Sequence, residues 1–475
     1  MSVNPVYVVI DLGSSTIRGL AASKLPDGSV SPIAIAEEPA EDDIRHGAVY
    51  NIDRVSEKIA RIVKELDERL EEENLRTTSL YVGISTPSLR SEEEVINAEI
   101  SSEGEEITDK HLDYIQKKID ELHYDRRTII TLTKPYYEVN GSIEESPKSL
   151  IASELVAHVS AITVKERVYE SIRAVVEDRL KLKLAGIFAS PLAEASLSLS
   201  DTQKELGCVF VDVGGGTTSI VIYLGGVFRR LRVLPFGGKN ITSDLMDMQL
   251  SEEDAEEIKL NYAGATTNAD REKTFVINDI DGVSERTIRI LDVNRYASAR
   301  MKEIIANVVA TVNHSGVLNR MEGGYVMVGG GLSLARTEDL LRSEVRNFSN
   351  YTQLLQYADK DNALSYEKEY RSALALAWTA GENCTEALRY TIEGLTAKDP
   401  ATPEVEERVS PQAVAPEEPQ RGVNSRKKKS ARKENSGLFS IGNFRDFFNQ
   451  FSSTEDELEA YDLDDQDRED DLDDL

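Results

Sequence analysis

Short, almost wholly apolar runs alternate with amphipathic stretches over the first 395 residues, which predicts strands and helices in turn. Residues 6–10 read as a strand buried on both faces, 16–23 as its hairpin partner, and 32–36 as a third strand after the turn Leu25-Pro26-Asp27-Gly28. Residues 53–73 then place Val55, Ile59, Ile62, Val63, Leu66 and Leu70 at helical spacing beneath an acidic outer face, and 80–84 returns to strand. Strands followed by helices predict a covered mixed sheet. From 85 to 158 the charge density rises through Glu92-Glu93-Glu94. A helix carrying Leu112, Ile115, Ile119 and Leu122 follows, then strands at 128–132 and 136–139 before an Asn140-Gly141 turn, so a small inserted subdomain is expected. A strand at 158–164, a helix at 168–180, a strand at 185–188 and an Ala/Leu-rich helix at 191–199 lead back to the main body.

The second half repeats the logic of the first. Residues 209–222 read V-F-V-D-V-G-G-G-T-T-S-I-V-I, a strand broken by three glycines and resumed. A third strand is expected at 227–234, helices at 241–248 and after the Ser251 cap, a hairpin at 274–277 and 287–291, and a long helix at 294–312. The strand at 325–328 ends in Gly329-Gly330-Gly331, and the helix at 372–380 holds Trp378, read as a core residue.

Candidate chemistry lies at the turns. Glycines let backbone N–H groups approach an anion closely, and an aspartate at a strand end suits a metal ion or its waters. Asp212 with Gly214, Gly215, Gly216, Thr217 and Thr218 makes one such turn; Asp11 with Gly13, Ser14, Ser15 and Thr16 makes another about 200 residues earlier. Either alone also reads as an ordinary Asp/Gly hairpin turn, but the pair predicts two related lobes closing on a phosphorylated ligand. Glu194, in the helix before the second turn, could touch a metal-bound water or simply be solvated. Glu256 and Lys259 could contact a ribose or be surface, and Gly329, Gly330 and Gly331 could let the chain pass flat beneath a base.

A net charge of −30 argues against nucleic-acid binding by the whole surface. Cys208 and Cys384 lack ligand-like companions, which predicts a reducing compartment and no zinc centre. A basic-then-apolar leader and an 18-residue apolar run are both missing, so neither a secretory signal nor a spanning helix is expected.

The tail has three chemistries. Residues 396–420 are rich in proline and glutamate and read as a disordered linker; Arg421, Arg426, Lys427, Lys428, Lys429, Arg432 and Lys433 follow. In 437–451, Ile441, Phe444, Phe447, Phe448 and Phe451 fall within an arc of about 120° on a helical wheel, with Leu438 adjoining and Phe439 beside it in sequence. A helix docked on the body is one reading. Insertion into a membrane interface is preferred, because each neighbouring basic residue contributes on the order of 1 kcal/mol beside an anionic leaflet. Residues 455–475 are strongly acidic and should moderate that attachment or recruit a basic partner.

The paired D-x-G loops, the later glycine cluster and the two-lobed order resemble the actin-like ATPases, and within them the FtsA family. That closer resemblance is carried by Asp11-Leu12-Gly13-Ser14-Ser15-Thr16, Arg45-His46-Gly47-Ala48-Val49, Tyr81-Val82-Gly83-Ile84-Ser85, the run from Glu205 through Thr218, Pro235-Phe236-Gly237-Gly238, and Ala255-Glu256 with Ile258-Lys259. It implies an α/β, actin-like two-lobed ATPase fold (duplicated ribonuclease-H-like domains) with an inserted subdomain. The first lobe would span 1–84 and 159–204 around an insert at 85–158. The second would have its nucleotide core at 205–237, an outer subdomain at 238–320 and its return at 321–395. A linker (396–436), a membrane-targeting helix (437–452) and an acidic tail (453–475) would follow.

The resemblance further implies ATP and Mg2+ as ligands, with Asp11 and Asp212 serving the metal, Asp212 and Glu194 the chemistry, the glycine loops and Gly238 the phosphates, and Glu256 and Lys259 the nucleoside. It implies head-to-tail self-association through the insert, a C-terminal FtsZ peptide on 238–320 near Arg300 and Lys302, anionic inner-membrane lipids and later division proteins as partners. No nucleic acid is implied, and the place of work would be the cytoplasmic face of the inner membrane at the septum. Ser219 departs from the family pattern, which usually has aspartate there, so nucleotide would act as a conformational and polymerisation ligand with at most slow hydrolysis. A chaperone or small-molecule kinase of the same superfamily would explain the lobes alone, and a structural protein without nucleotide would leave the glycines without a purpose.

Overall fold

In the computed structural model, which describes residues 4–388 apart from 268–271, 279–284, 317–320, 346, 351–353 and 367, two sheets organise the chain. The first has the order Lys183–Ala189, Ser79–Ile84, Val6–Leu12, Thr16–Lys24, Val30–Pro39. Val6–Leu12 runs antiparallel to Thr16–Lys24 and parallel to Ser79–Ile84. Its near-continuous burial follows from being covered on both faces. Two glycines show what covers them. A side chain at Gly19, paired in register with Ile10, would overlap Ile62 of the helix Ile52–Leu70. One at Gly83, paired with Asp11, would overlap Leu376 of the helix Arg371–Thr379. Ile10 and Asp11 point to opposite faces, so the two helices do too. The Asn51 side chain accepts the Arg54 N–H at 3.1 Å and starts the first of them.

The second sheet orders Ser142–Glu144, Tyr136–Val139, Leu155–Lys165, Arg90–Ala98, Val227–Leu234, Thr218–Leu224, Cys208–Val213, Gly324–Val328 and Phe348–Ser349, with Arg127–Leu132 also paired to Leu155–Lys165. Its central part repeats the first sheet: Cys208–Val213 is antiparallel to Thr218–Leu224 and parallel to Gly324–Val328. Asp11 and Asp212 each occupy the next-to-last position of the corresponding strand. The helices Gly238–Met246, Glu252–Tyr262 and Ile290–His314 pack together beside it.

Three local expectations change. The acidic run Glu92-Glu93-Glu94 lies within a nine-residue strand, Arg90–Ala98, paired along its length with Leu155–Lys165. Its glutamates are tolerated because the strand is only partly covered. Arg90 also pairs with Arg232, so the insert continues the second-lobe sheet through one register pair, and Leu155–Lys165 runs across the sequence boundary at 158. Trp378 is not a core residue: it is 36% exposed, with its ring edge-on to Tyr357. The segments 396–436, 437–452 and 453–475, including Leu438, Phe439, Ile441, Phe444, Phe447, Phe448 and Phe451, lie outside the described residues.

Candidate functional site

The two D-x-G turns meet. The Gly214 N–H donates to the Thr217 carbonyl at 2.8 Å, which closes the second turn. A Cβ at Gly215 would overlap the Ser15 hydroxyl, and one at Gly216 would lie 2.9 Å from Ser14 Cβ. Only glycine lets these loops abut. Ser14 is buried and its hydroxyl has no hydrogen-bond partner among the described residues. In the first loop, a Cβ at Gly13 would sit 2.5 Å from the Thr16 carbonyl, so the turn before Thr16 also requires glycine.

The helix Gly238–Met246 is sewn onto the second loop: Gly238 N–H donates to Gly214 O at 2.9 Å and Lys239 N–H to Gly215 O at 2.7 Å. Thr218 Oγ1 donates to the Phe236 carbonyl at 2.7 Å, so this hydroxyl is committed to holding the hairpin against that helix entry. Lys259 is 9% exposed. Its Nζ donates to Glu256 Oε2 at 2.6 Å, Thr242 Oγ1 at 2.8 Å and Gly238 O at 3.3 Å. The surface alternative for Lys259 is thereby excluded, since its charge sits under the glycine corner.

Gly329, Gly330 and Gly331 reach the same corner. Gly331 abuts Gly214, whose carbonyl would lie 2.9 Å from an added Cβ, whereas Gly330 faces open space. Gly329 has φ +106, and a Cβ there would overlap Asp212 Oδ1. Gly329→Ala should therefore destabilise the protein by about 3 kcal/mol or more through backbone strain and overlap together. Urea unfolding checks this; a loss below about 1 kcal/mol would show that the corner relaxes freely.

Behind the loops lie three carboxylates. Asp11 Oδ1 accepts a hydrogen bond from Ser190 Oγ at 2.8 Å. Burial raises the Asp11 pKa, against the pull of Ser190 and of Arg18, its cross-strand register partner. Burial first, and the charge of Asp11 second, push Asp212 up to about 7. Glu194 is 5% exposed, and burial followed by the charges of Asp212 and Asp11 raises it well above the carboxylate range, with Arg371 opposing. A solvated Glu194 is thus excluded. Its helix alone does not reveal this, because that helix packs on elements distant in sequence, chiefly the helix Arg371–Thr379 and also the strand Thr218–Leu224.

Among the described residues no group of three or more Asp, Glu, His or Cys side chains is close enough to hold a metal ion by itself. Two strand-end carboxylates beside glycine loops nevertheless fit Mg2+ held largely through water and phosphate oxygens. Asp11 and Asp212 are the residues that would hold it, and a cation there would offset the burial that raises both pKa values and the Asp11 charge that adds to it at Asp212.

Other expected residues fall elsewhere. Ser219 is 1% exposed and its Oγ lies 2.7 Å from Ser85 Oγ of the other lobe. Arg300 is held by Asp244, through two bonds of 2.7 Å, and by Glu303 at 2.6 Å, so a peptide would have to displace these acids; Lys302 next to it is exposed. Sequence reasoning overlooked Arg18, Ser190 and Arg371. Arg18 was findable, because a tight hairpin after Asp11 sets it directly opposite; the other two arrive through long-range packing.

Residues 209–388 match the family model described as "Cell division protein FtsA". The cell division protein FtsA of Porphyromonas gingivalis is 37% identical over 395 residues, covering 83% of this chain and 82% of that protein. FtsA of Bacillus subtilis is 25% identical, covering 73% and 79%. Among solved structures, a PilM–PilN type IV pilus biogenesis complex superposes with a TM-score of 0.53 at 15% identity, covering 78% of this chain and 98% of that one. The two-lobed, actin-like fold expected from the paired loops is the fold of this chain.

Proposed function

Because the chain belongs to the FtsA family of cell division proteins, we propose that it is a nucleotide-responsive adaptor that ties FtsZ filaments to the inner membrane at the septum. The observation that carries the nucleotide part is the meeting of Ser14 and Ser15 with Gly215 and Gly216 in front of Asp11, Asp212 and Glu194. ATP would enter between the loops, its phosphates received by backbone N–H groups of residues 14–16 and 215–217. Bound Mg2+ would supply charge neutralisation for those phosphates. Asp11 and Asp212 would hold it, Lys259 and Glu256 would shape the nucleoside side, and Gly329 to Gly331 would floor the base.

Closing two lobes on one ligand makes their relative position depend on that ligand, and a filament contact through the insert at 85–158 would read it out. ATP here serves as a conformational ligand, with Ser219 in place of an acid keeping turnover slow. The outer subdomain, 238–320, would receive the FtsZ C-terminal peptide near Lys302 and, after ion-pair exchange, Arg300. Later division proteins would join the assembled filament. The Phe-rich segment at 437–452 would insert among anionic lipids; among the described residues no helix is long and apolar enough to cross a membrane. A chaperone or kinase role leaves that segment unexplained.

Liposome co-sedimentation tests the adaptor reading. The full chain and a truncation at 436 are compared, each with and without ATP and an FtsZ tail peptide. Sedimentation should be lost in the truncation alone, by at least about tenfold given the several apolar side chains removed. Equal sedimentation of both would remove the membrane assignment.

A further inference from the structure

The segment Arg45-His46-Gly47-Ala48-Val49 helped to carry the family resemblance, yet nothing so far gives it a task. It is a two-residue hairpin: Ile44 pairs with Val49 and Arg45 with Ala48, leaving His46 and Gly47 at the turn. Both turn residues have positive φ, +45 for His46 and +72 for Gly47, as a type I′ turn requires. Asparagine is favoured at the first of these positions, whereas histidine is accommodated with some strain. Such strain persists where the surroundings hold it, and here they do.

The hairpin is bound to the nucleotide loops at each end. At its base, Ala40 N–H donates to the Ser15 carbonyl at 2.9 Å. At its tip, His46 Nδ1 lies 2.8 Å from the Gly216 carbonyl. A carbonyl only accepts, so Nδ1 carries the proton of that bond. Gly47 lies against the Ser85 carbonyl so closely that any Cβ would overlap it. From the second lobe, Lys239 Nζ reaches the Glu41 carbonyl at 3.4 Å. The hairpin's root is fixed by the buried pair of Asp43 and Lys58, 2.8 Å apart.

We propose that this hairpin is an inter-lobe clasp and that His46 is a positioning residue of the nucleotide site. The inference rests on the nucleotide reading above. By holding the Gly216 carbonyl, the imidazole orients the peptide that follows it, whose N–H belongs to Thr217 and is one of the phosphate donors. The clasp joins the first loop at Ser15 to the second at Gly216, so each phosphate loop is felt by the other through a single short segment.

His46→Gly separates the two roles. Glycine suits the left-handed turn at least as well as histidine and has no side chain to bond Gly216, whereas the amide nitrogen of asparagine, carried on Cγ like Nδ1, can keep that bond and serves as the rescue variant His46→Asn. In the full chain, His46→Gly should leave the melting temperature without nucleotide equal or higher, weaken binding of a fluorescent ATP analogue with Mg2+ about fivefold, as expected for one lost hydrogen bond, and speed amide exchange across 214–218, with His46→Asn restoring both. A merely structural role would not combine unchanged stability with faster exchange confined to that loop. Equal affinities and equal exchange in the two proteins would overturn the clasp while leaving nucleotide binding intact. Failure of the wild-type chain to bind the analogue would overturn both. A His46→Gly protein that melts lower would also count against the proposal, because the turn would then depend on the imidazole for more than positioning.

Discussion

Asp212→Asn is expected to abolish Mg2+-dependent ATP binding and, without nucleotide, to raise the melting temperature at pH 8. Both effects come from one feature: a carboxylate at a buried strand end, facing Asp11 across the junction of the lobes. Burial and the Asp11 charge hold the Asp212 pKa up near 7, well above its ordinary value of 3.8. A group whose folded pKa is raised contributes stability that is fully present below the unfolded value and is lost as pH rises through the folded one. The wild-type protein should therefore lose stability between about pH 4 and pH 7, by at most about 4 kcal/mol for a shift of this size. The amide has the same shape and no charge to lose. Its advantage should open across that window and stay level above it, measured by thermal melts in EDTA. ATP reverses the order. A cation between Asp11 and Asp212 makes both charges useful, so Mg2+ and ATP together should raise the wild-type melting temperature and leave the variant unmoved. A variant less stable than wild type at pH 8 would mean that the carboxylate is not held against its charge.

Much of this arrangement was legible along the chain because it is local. The Asp11 and Asp212 turns, their flanking strands and the helices at 52–70 and 290–314 announce themselves through apolar spacing, glycine and caps within about twenty residues. What stayed hidden depends on partners far away in sequence. Glu194 looks like any helix glutamate until the helix Arg371–Thr379 and the strand Thr218–Leu224 pack on its own helix. Glu92 to Glu94 carry no apolar alternation to mark a strand, and only the pairing with Leu155–Lys165 makes them one. Trp378 looks like core by type, but its position near the helix end leaves it half at the surface. The clasp is the clearest case. Arg45 to Val49 is readable as a turn, whereas its contact with Gly216 spans 170 residues. Register, once known, recovers some of this: Arg18 opposite Asp11 and Ser219 opposite Asp212 follow from hairpin pairing alone.

Ser219→Asp should lower the nucleotide-free melting temperature, enlarge the stabilisation by Mg2+ and ATP, and raise the rate of phosphate release. Ser219 and Asp212 are direct cross-strand partners, so their side chains share a face about 5 Å apart. The serine hydroxyl is fully enclosed and bonded to Ser85, which links the hairpin to the other lobe. An aspartate would break that link and place a further carboxylate beside Asp212, Asp11 and Glu194. Burying a like charge there should cost on the order of 2–4 kcal/mol without a cation, most of it at neutral and higher pH where the acids ionise. A divalent ion offsets that cost directly, so the melting-temperature gain on adding Mg2+ and ATP should exceed the wild-type gain. The second acid also provides an acceptor for an attacking water or for a metal-bound one, which a serine held by Ser85 does not. Enlarged stabilisation by Mg2+ and ATP with unchanged phosphate release would overturn Ser219 as the residue that keeps turnover slow and shift that role to the placement of Glu194, the remaining buried acid behind the loops.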